Sequence, residues 1–459
     1  MDNPVSERAP KLPRVPEAPS FSDDYARDIR LLGAYIEICE ERLSALPPPT
    51  ERSPAQQGDA NQVNYAARQA RHHFLDRHAG HVYDDLTAGR NQALRLNELV
   101  FAAADRLPGL VPTRAQMAAD HQLPQAAKSG GEVDQGIFFA YLLRQRATGE
   151  HLLRSMLAPT PRALALLPEF QRTGHLDLGQ AVVQRDGCVA EVTICNQHVL
   201  NAEDDAVVEA LETAVDLALL DDAVSVGVLR GSALAHSRYR GRRVFGAGIN
   251  LTHLYEGRIT FVDFMLRREL GYIRKLVHGL DHGSTNTLLD PSGGKPWIGA
   301  VETFAIGGAT QVALVLDHVI AASDAYFSLP ALAEGIIPGA ANLRLGRLVG
   351  RRMAQRLIFF GERVAAATPE AGALCDEVRP PELVGRAVDT AADQLGDQAV
   401  PANRRMLHLA EEPNDLFRDY MSRYALEQAE RLHSPDVVAK LRRTWVDRRT
   451  PAAPSGGSE

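Results

Sequence analysis

Two glycine turns carry the residue types and spacing that could do chemistry: VFGAGINL at 244–251 and FAIGGATQ at 304–311. Each reads as a junction between a strand and a helix. Glycine at such a junction lets a ligand approach the backbone, and the helix that follows aims its positive N-terminal end at that ligand. Two backbone N–H groups converging from different turns can hold an enolate or a tetrahedral oxyanion. Either turn alone reads more readily as a tight connection without function, because Gly-rich turns are common. Together they are the more informative signal.

Other chemistry is weakly represented. The chain has no GxSxG elbow, no GxxxxGK[ST] loop and no GxGxxG after a strand. His175-Leu176-Asp177 matches half of a two-histidine, one-carboxylate iron site, a tripeptide that arises easily by chance. His72, His73, His78 and His81 in HHFLDRHAGH read as a polar helix face with no carboxylate pair to complete a site. No metal is expected. Cys39, Cys188, Cys195 and Cys375 form no CxxC pair, which argues against a disulfide scaffold or thiolate zinc site and fits a reducing cytoplasm. Cys188 and Cys195 flank a strand pair and read as small buried apolar side chains.

The elements that must hold these turns show in the periodicity. A length of 459 residues allows two or three domains. Lys and Arg number 50 against 58 Asp and Glu, and the net charge of −8 argues against a nucleic-acid binder. No run of about 18 apolar residues suggests a membrane span. Residues 1–20 are proline-rich and read as a disordered arm. A helical domain is expected over 21–177, opening with a helix in which Ile29, Leu32, Ile36 and Leu43 recur at helical spacing. Further helices are expected at about 62–78, 91–105 and 135–157.

From 178 to 382 strands appear. AVVQRDGCVAEVTICN reads as a hairpin about Asp186-Gly187. A helix, NAEDDAVVEALETAVDLALLDD, and a buried strand, AVSVGVLRG, then make the strand–helix–strand unit of a parallel sheet. KPWIGAVE reads as a strand, GGATQVALVLDHVI as a helix and AYFSLP as a short strand. A charged helical region is expected over 383–449 and a flexible tail over 450–459. The fold class is α/β.

FGAGINL, followed by KPWIGAVETFAIGGATQVALVLDHVIAASDAYFSLP, resembles the crotonase (enoyl-CoA hydratase/isomerase) superfamily over about residues 180–380. The resemblance implies a spiral core of ββα turns that binds acyl-CoA thioesters. It also implies that the amides of Ile249 and Gly308 form the oxyanion hole. The acid and base glutamates of the family's hydratases would fall at Gln311 and Ala331, and neither side chain can exchange a proton near neutral pH. Water addition by that pair is excluded.

The helical N-terminal extension, IGGATQ and AYFSLPALAEGIIPGAANLRLGR resemble one branch of the superfamily, the cofactor-independent dioxygenases acting on 3,5-dihydroxyphenylacetyl-CoA. That resemblance implies deprotonation at Cα, electron transfer from the carbanion to O2, and release of the arylglyoxylate and CoA, without metal or organic cofactor. It implies that Glu203, Arg268 and Gln311 contact the aryl hydroxyls; Arg267 is adjacent and a one-residue shift would exchange the two arginines. Apolar Leu329, Ile336 and Ile337 suit a dry pocket for O2. Arg238, Arg240, Arg242 and Arg243, just before the first turn, are where the family receives the CoA phosphates. A homo-oligomer, a trimer or a pair of trimers, is implied as well. The alternatives are another crotonase-type thioesterase, isomerase or decarboxylase, or a non-catalytic acyl-CoA-binding subunit. No general base declares itself.

Overall fold

The computed structural model describes residues 17–281 and 294–443. Most of the expected N-terminal arm and all of the 450–459 tail lie outside the described residues.

The first part of the chain is helical. Asp24 caps the helix Tyr25–Ser44 by accepting from the Arg27 amide, and Leu32 and Ile36 bury its apolar stripe. Ser53 and Gln56 form a capping box at the start of Pro54–Leu86, which spans the segment read as 62–78. Leu96–Arg106 follows. The helix expected at 135–157 is two, Gly131–Arg144 and Arg146–Leu157, because Gln145 between them is extended. Arg114–His121 and Pro161–Thr173 are additional. The histidine segment is not uniformly a polar face. His78 is buried, its Nε2 3.0 Å from Asp28 Oδ2, and its ring packs on Phe74.

Strands begin at His175, three residues before the expected boundary. A seven-stranded sheet is built from β1 (His175–Asp177), β2 (Ala181–Asp186), β3 (Val189–Ile194), β4 (Val226–Gly231), β5 (Trp297–Val301), β7 (His318–Ala322) and β10 (Glu377–Arg379). They lie side by side in that order. A second sheet orders β6 (Phe304–Ile306), β8 (Tyr326–Ser328) and β9 (Arg363–Ala365). β2 and β3 form the expected hairpin, with Gly187 in the left-handed region. β3, β4, β5, β7 and β10 are mutually parallel. The helix Asp205–Leu220 provides the crossover from β3 to β4.

Two expectations change here. The helix read through GGATQVALVLDHVI stops at Ala313, and its last residues form β7, buried on both faces beside β5. Cys188, expected among buried side chains, is exposed at the hairpin turn.

The C-terminal helix Asn414–Leu432 returns to pack on Gly131–Arg144. Gly136 lies against Ala425 and Ala429, and the Ser422 hydroxyl donates to the Ala140 carbonyl at 2.7 Å. One continuous apolar core runs from Leu32 to Leu441. Among the described residues no helix is long and apolar enough to cross a membrane.

Candidate active site

The two glycine turns meet. The Glu203 backbone clamps the first: its amide donates to the Gly248 carbonyl at 2.7 Å, and its carbonyl accepts from the Asn250 amide at 2.7 Å. Extended backbone alternates its polar groups, so the Ile249 amide faces away from residue 203. Gly248, at φ +83°, packs so tightly on the second turn that an added Cβ would lie 3.2 Å from the Gly308 nitrogen. The second turn begins with Gly307 at φ +55° and ψ −118°, backbone that glycine alone adopts readily. The Gly307 amide donates to the Ser328 carbonyl, and the Thr310 hydroxyl donates to the Ala305 carbonyl, fixing the start of the helix Gly308–Ala313. The amides of Ile249 and Gly308 donate to no carbonyl among the described residues. Two adjacent turns thus present two free N–H groups.

Glu203, Arg268 and Gln311 converge beside Gly308. Arg268 Nε donates to Glu203 Oε2 at 2.8 Å, Nη1 to Gln311 Oε1 at 2.9 Å and to Glu269 Oε1 at 2.9 Å, and Nη2 to the Gly308 carbonyl at 2.6 Å. The Tyr272 hydroxyl donates to the other oxygen of Glu203. All five side chains are buried. Burial opposes the charge on Arg268, but Glu203, Tyr272 and Glu269 outweigh it and hold the guanidinium protonated above its ordinary range. Burial pushes the Tyr272 phenol well above its ordinary value, with the Glu203 carboxylate adding to the rise and Arg268 opposing it. Gln311 spends its carbonyl on Arg268 and keeps its amide N–H groups for another acceptor. A Cβ at Gly308 would collide with the Glu203 carboxylate and crowd Arg268 Nη2 at 3.0 Å.

Arg267 lies elsewhere. Its Nε donates to Glu212 Oε2 at 2.6 Å, in a cluster with Arg95 and Lys275. Of the basic loop, Arg242 pairs with Asp324 at 2.8 Å, and Arg243 donates to the Gly231 carbonyl at 3.3 Å. Arg238, whose guanidinium lies over the Tyr239 ring, and Arg240 are exposed and have no carboxylate partner among the described residues. Leu329 and Ile336 are buried and Ile337 half-buried on the main core. Among the described residues no three metal-ligating side chains gather.

Sequence reasoning missed Glu269 and Tyr272, neighbours of Arg268 on one helix, and Glu334. Glu334 is buried, and an added Cβ at Gly307 would sit 3.6 Å from its Oε1. Burial alone raises it from the ordinary carboxylate range to about 8. The signal available was a lone carboxylate inside the apolar run ALAEGIIPG.

Two amides without a backbone acceptor, at abutting turns set on a crossover sheet, are an arrangement that can stabilise an oxyanion. The chain belongs to the enoyl-CoA hydratase/isomerase (crotonase) family, whose profile matches residues 282–431. Over 93% of this chain and 98% of its own length, a protein of Amycolatopsis orientalis, the (3,5-dihydroxyphenyl)acetyl-CoA 1,2-dioxygenase, is 51% identical. A probable enoyl-CoA hydratase of Rhizobium meliloti is 30% identical over 48% of this chain and 77% of its own. A solved enoyl-CoA hydratase from Mycobacterium avium subsp. paratuberculosis covers 58% of this chain and 99% of its own, at 22% identity and TM-score 0.47.

Proposed function

We propose that the protein is a dioxygenase that needs neither metal nor organic cofactor, converting 3,5-dihydroxyphenylacetyl-CoA and O2 to 3,5-dihydroxyphenylglyoxylate and CoA. The observation that carries this reading is the position of Gly308. Its amide, like that of Ile249, donates to no carbonyl among the described residues, while its own carbonyl accepts from Arg268, which also holds Glu203 and Gln311. A residue that combines a donor suited to an oxyanion with neighbours suited to aryl hydroxyls supports this reading. The near full-length relative of that activity supports the same substrate.

In this reading the Ile249 and Gly308 amides stabilise the enolate oxygen of the thioester. Glu203 accepts from one phenol and the Gln311 amide donates to another, because a buried hydroxyl left unpaired costs about 1–3 kcal/mol. The aryl ring and thioester delocalise the carbanion, which reduces O2 directly; peroxide formation at Cα and cleavage of the thioester follow. Arg238 and Arg240 receive CoA phosphates. The enzyme works as an assembly of identical chains, which sedimentation would measure.

The test is chelator-treated enzyme in an oxygen electrode with 3,5-dihydroxyphenylacetyl-CoA. The expected result is one O2 consumed per CoA released, with no stimulation by added iron. CoA release without O2 uptake would identify a thioesterase instead.

A further inference from the structure

The reaction begins by removing a proton from Cα, and none of the groups assigned so far can take it. Arg268 is held protonated, and Gln311 has no proton to exchange. Glu203 accepts from Arg268 and Tyr272 and, in the reading above, from a substrate phenol, so it is committed to binding the ring. A base must be a carboxylate with free lone pairs, poised beside the two oxyanion amides.

Glu334 meets that description. It closes the short helix Ala331–Glu334, where Gly335 at φ +81° turns the chain away. Its carboxyl is directed at Gly307, the residue that precedes the Gly308 amide. Among the described residues it has neither a hydrogen-bond donor nor an ion-pair partner, although it is buried. A structural carboxylate would be paired, since burying one alone is costly. Nearby cations are committed elsewhere. Arg431 donates to the Gly335 carbonyl and to Asp436, and Lys440 pairs with Asp436 at 3.3 Å. On the neighbouring helix Gly350–Phe360, Arg351, Arg352 and Arg356 are exposed, and Arg356 pairs with Glu362.

We propose that Glu334 is the general base of the reaction, taking the Cα proton of the bound thioester. This deepens the dioxygenase reading and rests on it. The C–H electron pair moves to the thioester carbonyl oxygen, which the Ile249 and Gly308 amides receive, and Glu334 becomes the neutral acid. When the thioester later breaks, that proton goes to the departing CoA thiolate. Burial that lifts this carboxyl to about 8 makes it a stronger base than an exposed glutamate while leaving part of it ionised near neutrality.

Deprotonation can be measured apart from oxygenation. Under anaerobic conditions in D2O, NMR follows exchange of the substrate's Cα hydrogens. Wild-type protein is expected to exchange them, faster as pH rises through about 8. Glu334→Gln is expected to slow exchange about 10²- to 10⁴-fold and to lose that pH dependence. Its affinity for the thioester should stay within about threefold of wild type, because it removes a proton acceptor and no binding contact. Gln is isosteric and relieves a buried charge, so an unchanged or raised melting temperature certifies the fold. Exchange by the variant at more than about a tenth of the wild-type rate would overturn the assignment. Wild-type exchange without O2 uptake in air would remove the dioxygenase reading and keep the base. Absence of both wild-type exchange and thioester binding would remove both.

Discussion

Replacing Arg268 with methionine preserves its volume and removes the cation that hydrogen-bonds both Glu203 and Glu269. Four hydrogen bonds go, two of them within ion pairs at 2.8 and 2.9 Å. The stranded carboxylates keep partial support: Tyr272 still donates to Glu203, the Ala340 amide reaches Glu269 at 3.1 Å, and Arg344 stands 3.9 Å from it. Removing one partner of a buried ion pair costs about 3–5 kcal/mol, and a loss in that range is expected. Urea unfolding midpoints, with unchanged slopes, measure the loss. A deficit below about 1 kcal/mol would refute the view that Arg268 neutralises two buried carboxylates.

Other outcomes follow from single contacts. Gly308→Ala drives a methyl group into Glu203 and Arg268, and a displaced oxyanion donor should lower kcat/KM about 100-fold in the coupled O2 assay. Gln311→Ala should lose about 1–3 kcal/mol of discrimination between 3,5-dihydroxyphenylacetyl-CoA and unsubstituted phenylacetyl-CoA, read as a ratio of kcat/KM values. Equal loss on both thioesters would place Gln311 away from the hydroxyls. Arg238→Ser with Arg240→Ser should raise KM several-fold at low salt, with the difference fading in high salt and kcat unchanged.

The candidate site was legible where its parts sit at turns with distinct chemistry. Gly248, Gly307 and Gly308 stand out because a strand must stop there, and Glu203, Arg268 and Gln311 meet beside them although 108 residues separate the first from the last (311 − 203). The β2–β3 hairpin and the β3–helix–β4 crossover follow from alternation and periodicity. Legibility fails where the deciding contact is distant. In QVALVLDHVIAA an apolar run fits helix or buried parallel strand equally, and pairing of Ile298 with His318 makes its second half a strand. His78 is drawn inside by Asp28 on another helix. Glu334 looks like the end of an exposed turn until the C-terminal segment covers it: Val437 and Lys440 pack against Gly335.

Arg267 and Arg268 show how the N-terminal helices bear on the site. They lie in an irregular helical stretch whose turns Phe261–Leu266 and Glu269–Ile273 are of the wide π type, a distortion common at functional sites. Tyr272, one turn beyond Arg268, joins it on Glu203, while Arg267 turns to Glu212. Gly271, with non-helical ψ of −109°, leaves space that Glu212 fills: an added Cβ would lie 2.9 Å from Glu212 Oε1. Glu212 also receives Arg95, which precedes the helix Leu96–Arg106, and Lys275, which in turn holds Asp216 at 2.7 Å. Asp216 accepts from the Thr160 amide at 2.7 Å. The backbone that aims Arg268 is therefore fastened on its far side to two points of the N-terminal helical segment. A substitution at Arg95 or Gly271, touching no substrate, would act on catalysis by tilting Arg268 and Tyr272 together, and the N-terminal helices are a supporting wall of the site.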